Sequence, residues 1–252
     1  MTDTLVEQPI PLQLAGEGMG TGVDADLVAR ATALVPLIRE YADKASEERR
    51  VGPEVVAALE EAGLFKIFVP KRYGGYGANM ATGVQTLAEI SRGDGSTGWA
   101  ASLLNVCTWF ATTFSQQAQD EVFGANPDAK VCGIFTPGSK SERVEGGYLV
   151  SGRWPYSSGS FAADWATLGI GIDVPDGEDP RALALIPAEA WTIEPTWFVA
   201  GMRGTGSDTI VVEDHSCPTT GCNGSWACGR RSSSRRTSRT RTPTWPSFRS
   251  LR

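Results

Sequence analysis

Three glycine-containing loops and one C-terminal cluster hold the side chains of this chain that could do chemistry. The loops read KRYGGYG (71–77), GRWPYSSGS (152–160) and GMRGTGS (201–207), and the cluster is His215 with Cys217, Cys222 and Cys228. In the second loop Trp154 is followed by Tyr156, Ser157, Ser158 and Gly159. Small hydroxyl residues with free backbone N–H groups suit hydrogen bonding to a planar, polar heterocycle, and a tryptophan supplies a flat wall. A tight β-turn carrying a core tryptophan is the plainer reading of the same residues. In the third loop Arg203, Thr205 and Ser207 could hold an anionic group, or form a solvated glycine turn. The glycines of the first loop permit a sharp turn, with Lys71 and Arg72 in solvent. Trp99, Trp109 and Phe110 lie on an apolar stripe that serves as core as readily as ligand wall, and Phe161 is a further aromatic lining candidate. The cluster has the spacing H-x-C-x4-C-x5-C, which lacks the short CxxC pairs of zinc sites, so it is assigned neither metal nor catalysis.

Other chemistries drop out. The chain has no phosphate-binding P-loop, GxSxG elbow or HExxH, and its single histidine lies at position 215, so residues 1–214 hold no Ser-His-Asp triad. Residues 1–214 carry 15 Lys and Arg against all 29 acidic residues, whereas residues 215–252 carry 8 Arg, no Lys and no acid. The acidic body argues against nucleic acid as a partner, because phosphate binding needs a basic face. No run of apolar residues is long enough for a membrane span. Residues 1–23 read as a flexible arm rather than a secretion signal, and the two body cysteines, Cys107 and Cys132, suit buried thiols in a reducing cytoplasm.

At 252 residues, 41% of them hydrophobic, the chain can bury a large core. Period 3.6 dominates the first half. Asp24 or Asp26 caps a helix whose apolar positions Leu27, Ala31, Leu34, Val35 and Ile38 share a face; a second helix opens at Gly52-Pro53 and stops at Gly63. A third is predicted over 78–92, a fourth after Asp94 and a short one in SQQAQDEVF. After Asn126 the period becomes 2: KVCGIF, a hairpin turning at Gly146-Gly147, DWATLGIGI, RALALIP, WTIEPTW and DTIVVED read as strands. The expectation is an α+β chain, with an all-helical domain (24–126) followed by an antiparallel β-barrel or sandwich (127–214), without βαβ alternation.

In that order, LEEAGLFKIFVPKRYGGYG, DGSTGWAASL, GGYLVSGRWPYSSGSFAADWATLG and GMRGTGSDTIVVED resemble the helical and middle β domains of the acyl-CoA dehydrogenase superfamily, over roughly residues 26–214. Ordinary members carry Trp-Ile-Thr-Asn where this chain has Trp-Pro-Tyr-Ser-Ser-Gly, and a Thr-Glu-Pro-x-x-Gly-Ser-Asp-type stretch where it has GIFTPGSKSERVEGG. The version here is closer to the oxygenase components of two-component flavin monooxygenases, of the para-hydroxyphenylacetate and phenolic seco-steroid hydroxylase type. The resemblance implies hydroxylation of a phenolic or polycyclic substrate through a flavin hydroperoxide, made from reduced FMN or FAD that a separate flavin reductase supplies. It places Trp154, Tyr156, Ser157 and Ser158 against the isoalloxazine ring, with one serine near its N5/C4a edge. Arg203, Thr205 and Ser207 fall near the flavin, and Trp99, Trp109 and Phe110 on the substrate side. The family's C-terminal four-helix bundle supplies the base and a homotetramer interface; both are expected to be absent here, leaving weak flavin binding and an inactive form. Two alternatives stay open: an acyl-CoA dehydrogenase that desaturates an acyl thioester, and a non-catalytic remnant.

The tail, residues 215–252, reads as a disordered, out-of-frame segment. With GC-rich codons, Ser216–Cys222 read one base earlier gives Phe-Val-Pro-Asp-His-Arg-Val, the ending that the resembled family shows after this strand. Apolar residues number 8 of 38 there and Ser plus Thr 14, too few apolar groups to fold a core. Resequencing the gene across codons 210–220 is expected to reveal a one-base change that restores this reading. An unchanged frame, matched by an intact protein mass of 26.9 kDa, would overturn it.

Overall fold

The computed structural model describes residues 22–139, 141–175 and 179–223. The remainder of the arm and tail (1–21 and 224–252, including Cys228) lies outside the described residues.

Five helices come first: α1 (Ala25–Glu48), α2 (Pro53–Glu61), α3 (Met80–Gly93), α4 (Gly95–Ala111) and α5 (Gln116–Phe123). Short polar side chains start four of them by accepting from orphan N–H groups of the first turn: Asp24 for α1, Asn79 for α3, Asp94 for α4 and Ser115 for α5. The Asn79 cap sets the start of α3 at Met80, two residues later than the sequence pattern predicts. Proline opens α2 where its missing N–H costs nothing, and Gly63 follows that helix at φ +74°. Leu27, Ala31, Val35 and Ile38 form the buried face of α1, while Leu34 is only partly buried.

Eight strands follow: β1 (Val131–Ile134), β2 (Glu142–Val144), β3 (Gly147–Trp154), β4 (Trp165–Gly171), β5 (Arg181–Pro187), β6 (Trp191–Glu194), β7 (Thr209–Pro218) and β8 (Cys222–Asn223). They form two four-stranded sheets, ordered β1-β4-β5-β8 and β2-β3-β7-β6. The sheets are antiparallel except at one pair: β1 runs parallel to β4, with Val131 opposite Trp165. The intervening β2–β3 hairpin is the long crossover that a parallel pair requires. That hairpin turns on Glu145-Gly146, with Gly146 at φ +80° and Val144 paired with Gly147, one residue before the glycine pair that the sequence suggests.

The expected domain end at Asp214 needs correction. Strand β7 runs on to Pro218, with His215, Ser216, Cys217 and Pro218 paired against Val150 back to Gly147, and β8 adds to β5. Ladder hydrogen bonds use only the backbone, so they form with these side chains too, and Cys217 serves as the small apolar group that the inward position needs. No described helix is long and apolar enough to cross a membrane.

One continuous core joins the two halves: Leu27, Ile38, Leu59, Leu64 and Leu104 pack in the same cluster as Trp154, Leu168, Ile170 and Ile210. Lys130 links them electrostatically. Its ammonium lies 2.6 Å from Glu60 of α2 and 3.3 Å from Asp164, and its backbone N–H donates to Asp164 as well. Burial pulls the Lys130 ammonium down, but the two carboxylates outweigh it and hold it above the usual lysine range. The contribution of this pairing is therefore intact throughout neutral pH, and on the alkaline side it is lost as strongly alkaline solution deprotonates the folded form. Lys130→Met is expected to cost about 2 kcal/mol, read as a lower urea midpoint at pH 7. A midpoint unchanged from that of the parent chain would show that the link is neutral.

Candidate functional site

The loop after β3 and the loop before β7 lie side by side. Ser157 N–H donates to the Asp208 carbonyl (3.0 Å) and Gly159 N–H to the Thr205 carbonyl (3.0 Å). The Asp208 carboxylate, 6% exposed, accepts from Thr196 N–H at 2.6 Å and Trp197 N–H at 2.8 Å, and so folds residues 195–208 back on themselves. Gly159 at φ +78° and Gly206 at φ +57° make the tight turns; a Cβ on Gly206 would come within 2.9 Å of the Phe161 ring.

Between the loops runs a chain of hydroxyls. Trp99 of α4 donates its indole N–H to Ser158 Oγ (3.2 Å); Ser158 Oγ is 2.7 Å from Ser207 Oγ, Ser207 Oγ is 2.6 Å from Thr205 Oγ1, and Thr205 donates to the Met202 carbonyl (3.0 Å). Aromatic rings frame the outside: Trp99 is 49% exposed, Tyr156 65% and Phe161 43%. The Tyr156 ring meets Trp197 edge-on at 6.0 Å, Arg50 lies over Phe161 and Arg49 over Phe198. Arg49 also donates to the Trp197 carbonyl at 2.7 Å, pinning α1 to this loop. Two buried polar atoms here, Arg203 Nε and Ser160 Oγ, have no hydrogen-bond partner among the described residues. Beneath Phe161 and Gly159 a cavity of about 20 Å³ has room for a single water, so a ring-sized ligand has to use the open aromatic surface.

This donor set fits a flavin: exposed rings for a planar heterocycle, a hydroxyl edge, and a guanidinium with an unused N–H for a carbonyl or phosphate oxygen. The residues singled out in sequence do not all share this surface. Ser158, Thr205 and Ser207 meet in the hydroxyl chain, with Tyr156 and Arg203 on the same two loops. Trp154 is a correction: it is wholly buried, its indole N–H donates to the Gly169 carbonyl at 2.7 Å, and the backbones of Gly138 and Gly152 close over it. It is the pillar under the loop, not a wall of the site. Ser157 is likewise enclosed, its hydroxyl donating to the Trp154 carbonyl at 2.9 Å. The N–H groups of residues 157–160 that sequence reading left free are all used within the two loops. Trp109 and Phe110 stack edge-on with each other, and Phe110 with Phe135, near the far end of α4. At about 1.5 Å per residue they stand roughly 15 Å along the helix from Trp99. That rise separates them from the hydroxyl chain.

The glycine loop at 71–77 is structural. Arg72 donates to Gln119, the Tyr73 hydroxyl donates to Asp120 at 2.5 Å, and a Cβ on Gly75 would collide with Val69. Cys107 and Cys132 are buried, which pushes the Cys107 thiol up to about 12 and the Cys132 thiol upward as well. Cys217 and Cys222 face each other at 3.2 Å, and among the described residues no three His, Cys, Asp or Glu side chains could hold a metal. Sequence reasoning missed Trp99 as a hydrogen-bond donor, the Asp208 clamp and the Trp197–Phe198 pair. The one signal for the clamp was an acid within the otherwise small, neutral run GTGSDT.

Residues 29–124 match the acyl-CoA dehydrogenase N-terminal domain. The helical half thus matches that family's N-terminal domain, and the helical and β halves together are similar to larger flavin-dependent proteins. It is 40% identical over 191 residues to a flavin-dependent monooxygenase oxygenase subunit, HsaA, of Rhodococcus jostii, covering 75% of this chain and 50% of that protein. It is 39% identical over 194 residues to the oxygenase component of an FADH(2)-dependent resorcinol hydroxylase of a Rhizobium species, covering 76% and 47%. The structure of XiaF from a Streptomyces species, solved with FADH2 and glycerol, superposes with a TM-score of 0.75 at 33% identity, over 80% of this chain and 51% of that one. The chain thus spans about half the length of the curated relatives it matches.

Tyr156 holds a left-handed backbone (φ +68°) with its ring in solvent, a costly conformation for an aromatic residue. Tyr156→Gly is expected to raise stability by about 1 kcal/mol, measured by urea denaturation. A loss of stability would show that the Tyr156–Trp197 contact outweighs the strain.

Proposed function

We propose that this chain is the helical and middle portion of the oxygenase component of a two-component flavin monooxygenase, acting on a phenolic or polycyclic aromatic ring. Reduced FMN or FAD would come from a separate flavin reductase. The observation that carries the reading is the Ser158–Ser207–Thr205 hydroxyl chain opening between the exposed rings of Trp99, Tyr156 and Phe161. The 40% identity to a flavin-dependent monooxygenase subunit supports it.

Reduced flavin, when bound, supplies the electrons by which dioxygen is cleaved and one oxygen atom is placed on the aromatic ring. The chain's own residues do the rest. Trp99, Tyr156 and Phe161 offer apolar faces that exclude water from a planar ligand. Ser158 Oγ meets its polar edge, and Arg203, whose Nε is buried without a partner, takes an anionic or carbonyl oxygen. Asp208 is kept out of proton transfer because its carboxylate is already committed to two backbone N–H groups. Neutral hydroxyls and aromatic rings so predominate at the surface, which limits stray protonation. The reading carries with it a cytoplasmic, homotetrameric holoenzyme.

The test supplies anaerobically reduced flavin, then isotopically labelled dioxygen, with a panel of phenols and saturated acyl thioesters. The frame-restored chain is expected to place one labelled oxygen atom on a phenol, and the 252-residue chain to bind reduced flavin weakly and turn over far more slowly. Desaturation of an acyl thioester without label uptake would overturn the reading in favour of a dehydrogenase.

A further inference from the structure

We propose that Cys217 and Cys222 are a peroxide-sensitive thiol pair that closes into a reversible disulfide and thereby fastens the two sheets to each other. The inference stands apart from the flavin reading above.

The two sulfurs lie 3.2 Å apart. They belong to different sheets: Cys217 is on β7, opposite Tyr148 of β3, and Cys222 is on β8, opposite Ala184 of β5. The turn between them holds them in place. Thr219 donates both its N–H and its hydroxyl to the Gly146 carbonyl at 2.9 Å, and the Thr220 carbonyl accepts from the Ser115 hydroxyl at 2.9 Å. Asn223 donates to the Thr113 carbonyl at 3.2 Å. The β2–β3 hairpin and the junction of α4 with α5 thus fix the contact, and small side-chain rotations bring the sulfurs to bonding distance. Strand β8 meets β5 through only two residue pairs, so a covalent tie to β7 secures a short edge.

Cys217 is fully buried, while Cys222 is partly exposed and is the sulfur an oxidant can reach. The hydrogen bond from Cys222 holds the Cys217 thiol below the usual cysteine range, and the same bond together with burial pushes Cys222 upward. The pair therefore gives up its first proton more readily than an isolated thiol. The remaining proton can pass across the contact and leave the charge on either sulfur. Hydrogen peroxide is the oxidant. As thiolate, Cys222 attacks one peroxide oxygen: the S–O bond forms, the O–O bond breaks, and the departing hydroxide takes a proton to become water. The Cys217 sulfur then attacks the Cys222 sulfenic sulfur: the S–S bond forms, the S–O bond breaks, and a second water leaves. Both thiol hydrogens are lost and the peroxide is reduced to water. Cys107 and Cys132 take no part, because burial raises both thiols and keeps them protonated.

The test exposes the folded chain to a molar equivalent of hydrogen peroxide, unfolds it, and alkylates the free thiols with iodoacetamide. It then weighs the tryptic peptide 204–230, whose cysteines are Cys217, Cys222 and Cys228. Cys228→Ser removes the third cysteine from that peptide. In this variant the peptide is expected to lose two hydrogens and take up no alkyl group, and dithiothreitol should restore both alkylations. Cys107 and Cys132 should stay fully alkylated. Oxidation should run about tenfold faster in the folded chain than in denaturing urea, because the fold holds the sulfurs together. It should also raise the urea midpoint of the Cys228→Ser protein. Cys222→Ser should abolish that rise and leave Cys217 open to alkylation. Equal rates in the folded and unfolded chains, or a peptide that keeps both alkylations, would overturn the proposal. So would a Cys222 carried on to sulfinic acid beside a free Cys217, or a bond to Cys228 formed in preference to the pair in the parent chain.

Discussion

A carboxylate removed from water has to be saturated with hydrogen bonds or it unfolds its surroundings, and Asp208 meets that condition with the N–H groups of Thr196 and Trp197. Satisfying it bends residues 195–208 into a closed loop, while the Asp208 carbonyl takes the Ser157 N–H and draws the preceding loop alongside. The placement of Ser158, Thr205 and Ser207 depends on this one constraint. Their hydroxyls then have no water to turn to and must pair with each other. The polar order of the site is thus a consequence of burial, and the exposed rings around it are what burial left outside.

The site also needs the helical half. Trp99 reaches Ser158 because α4 starts where Asp94 caps it, and α4 lies against β1 because its Thr108 hydroxyl accepts from the Val131 N–H at 3.1 Å. Asn105 on the same helix donates to the Leu64 carbonyl, which ties down the segment after α2. Lys130 and Arg49 fasten α2 and α1 to the β half, one by ion pairs and the other by a hydrogen bond to the Trp197 carbonyl. Close helix contacts rest on small residues: a Cβ on Gly83 would strike Phe68, and one on Gly93 would strike Ile38. A shared core with several polar fasteners makes the interloop seam a fixed surface.

Much of this architecture was legible in local signals. Asp24, Asp94, Ser115, Gly63 and Gly146 act within a few residues of themselves, so their meaning does not depend on distant partners. Strand alternation before Asp214 likewise reports which face meets the core. The parallel pairing of β1 with β4 left no local mark, because the pairing of distant strands is decided by the sheet as a whole. The extension of β7 to Pro218 left none either, since the backbone ladder overrode side chains of poor strand character.

For the candidate site the division is sharper. Composition and order in the chain determined a helical half, a β half and two hydroxyl-bearing loops, because backbone preference and hydrophobic period act over short spans. Which aromatic residue faces the ligand surface was decided only in three dimensions. Trp154 and Trp99 look alike in sequence, yet one is sealed beneath Gly138 and Gly152 while the other stands half-exposed with its N–H on Ser158. The hydroxyl contact between Ser158 and Ser207 likewise joins residues 49 positions apart, which no local signal links and only the tertiary fold brings together.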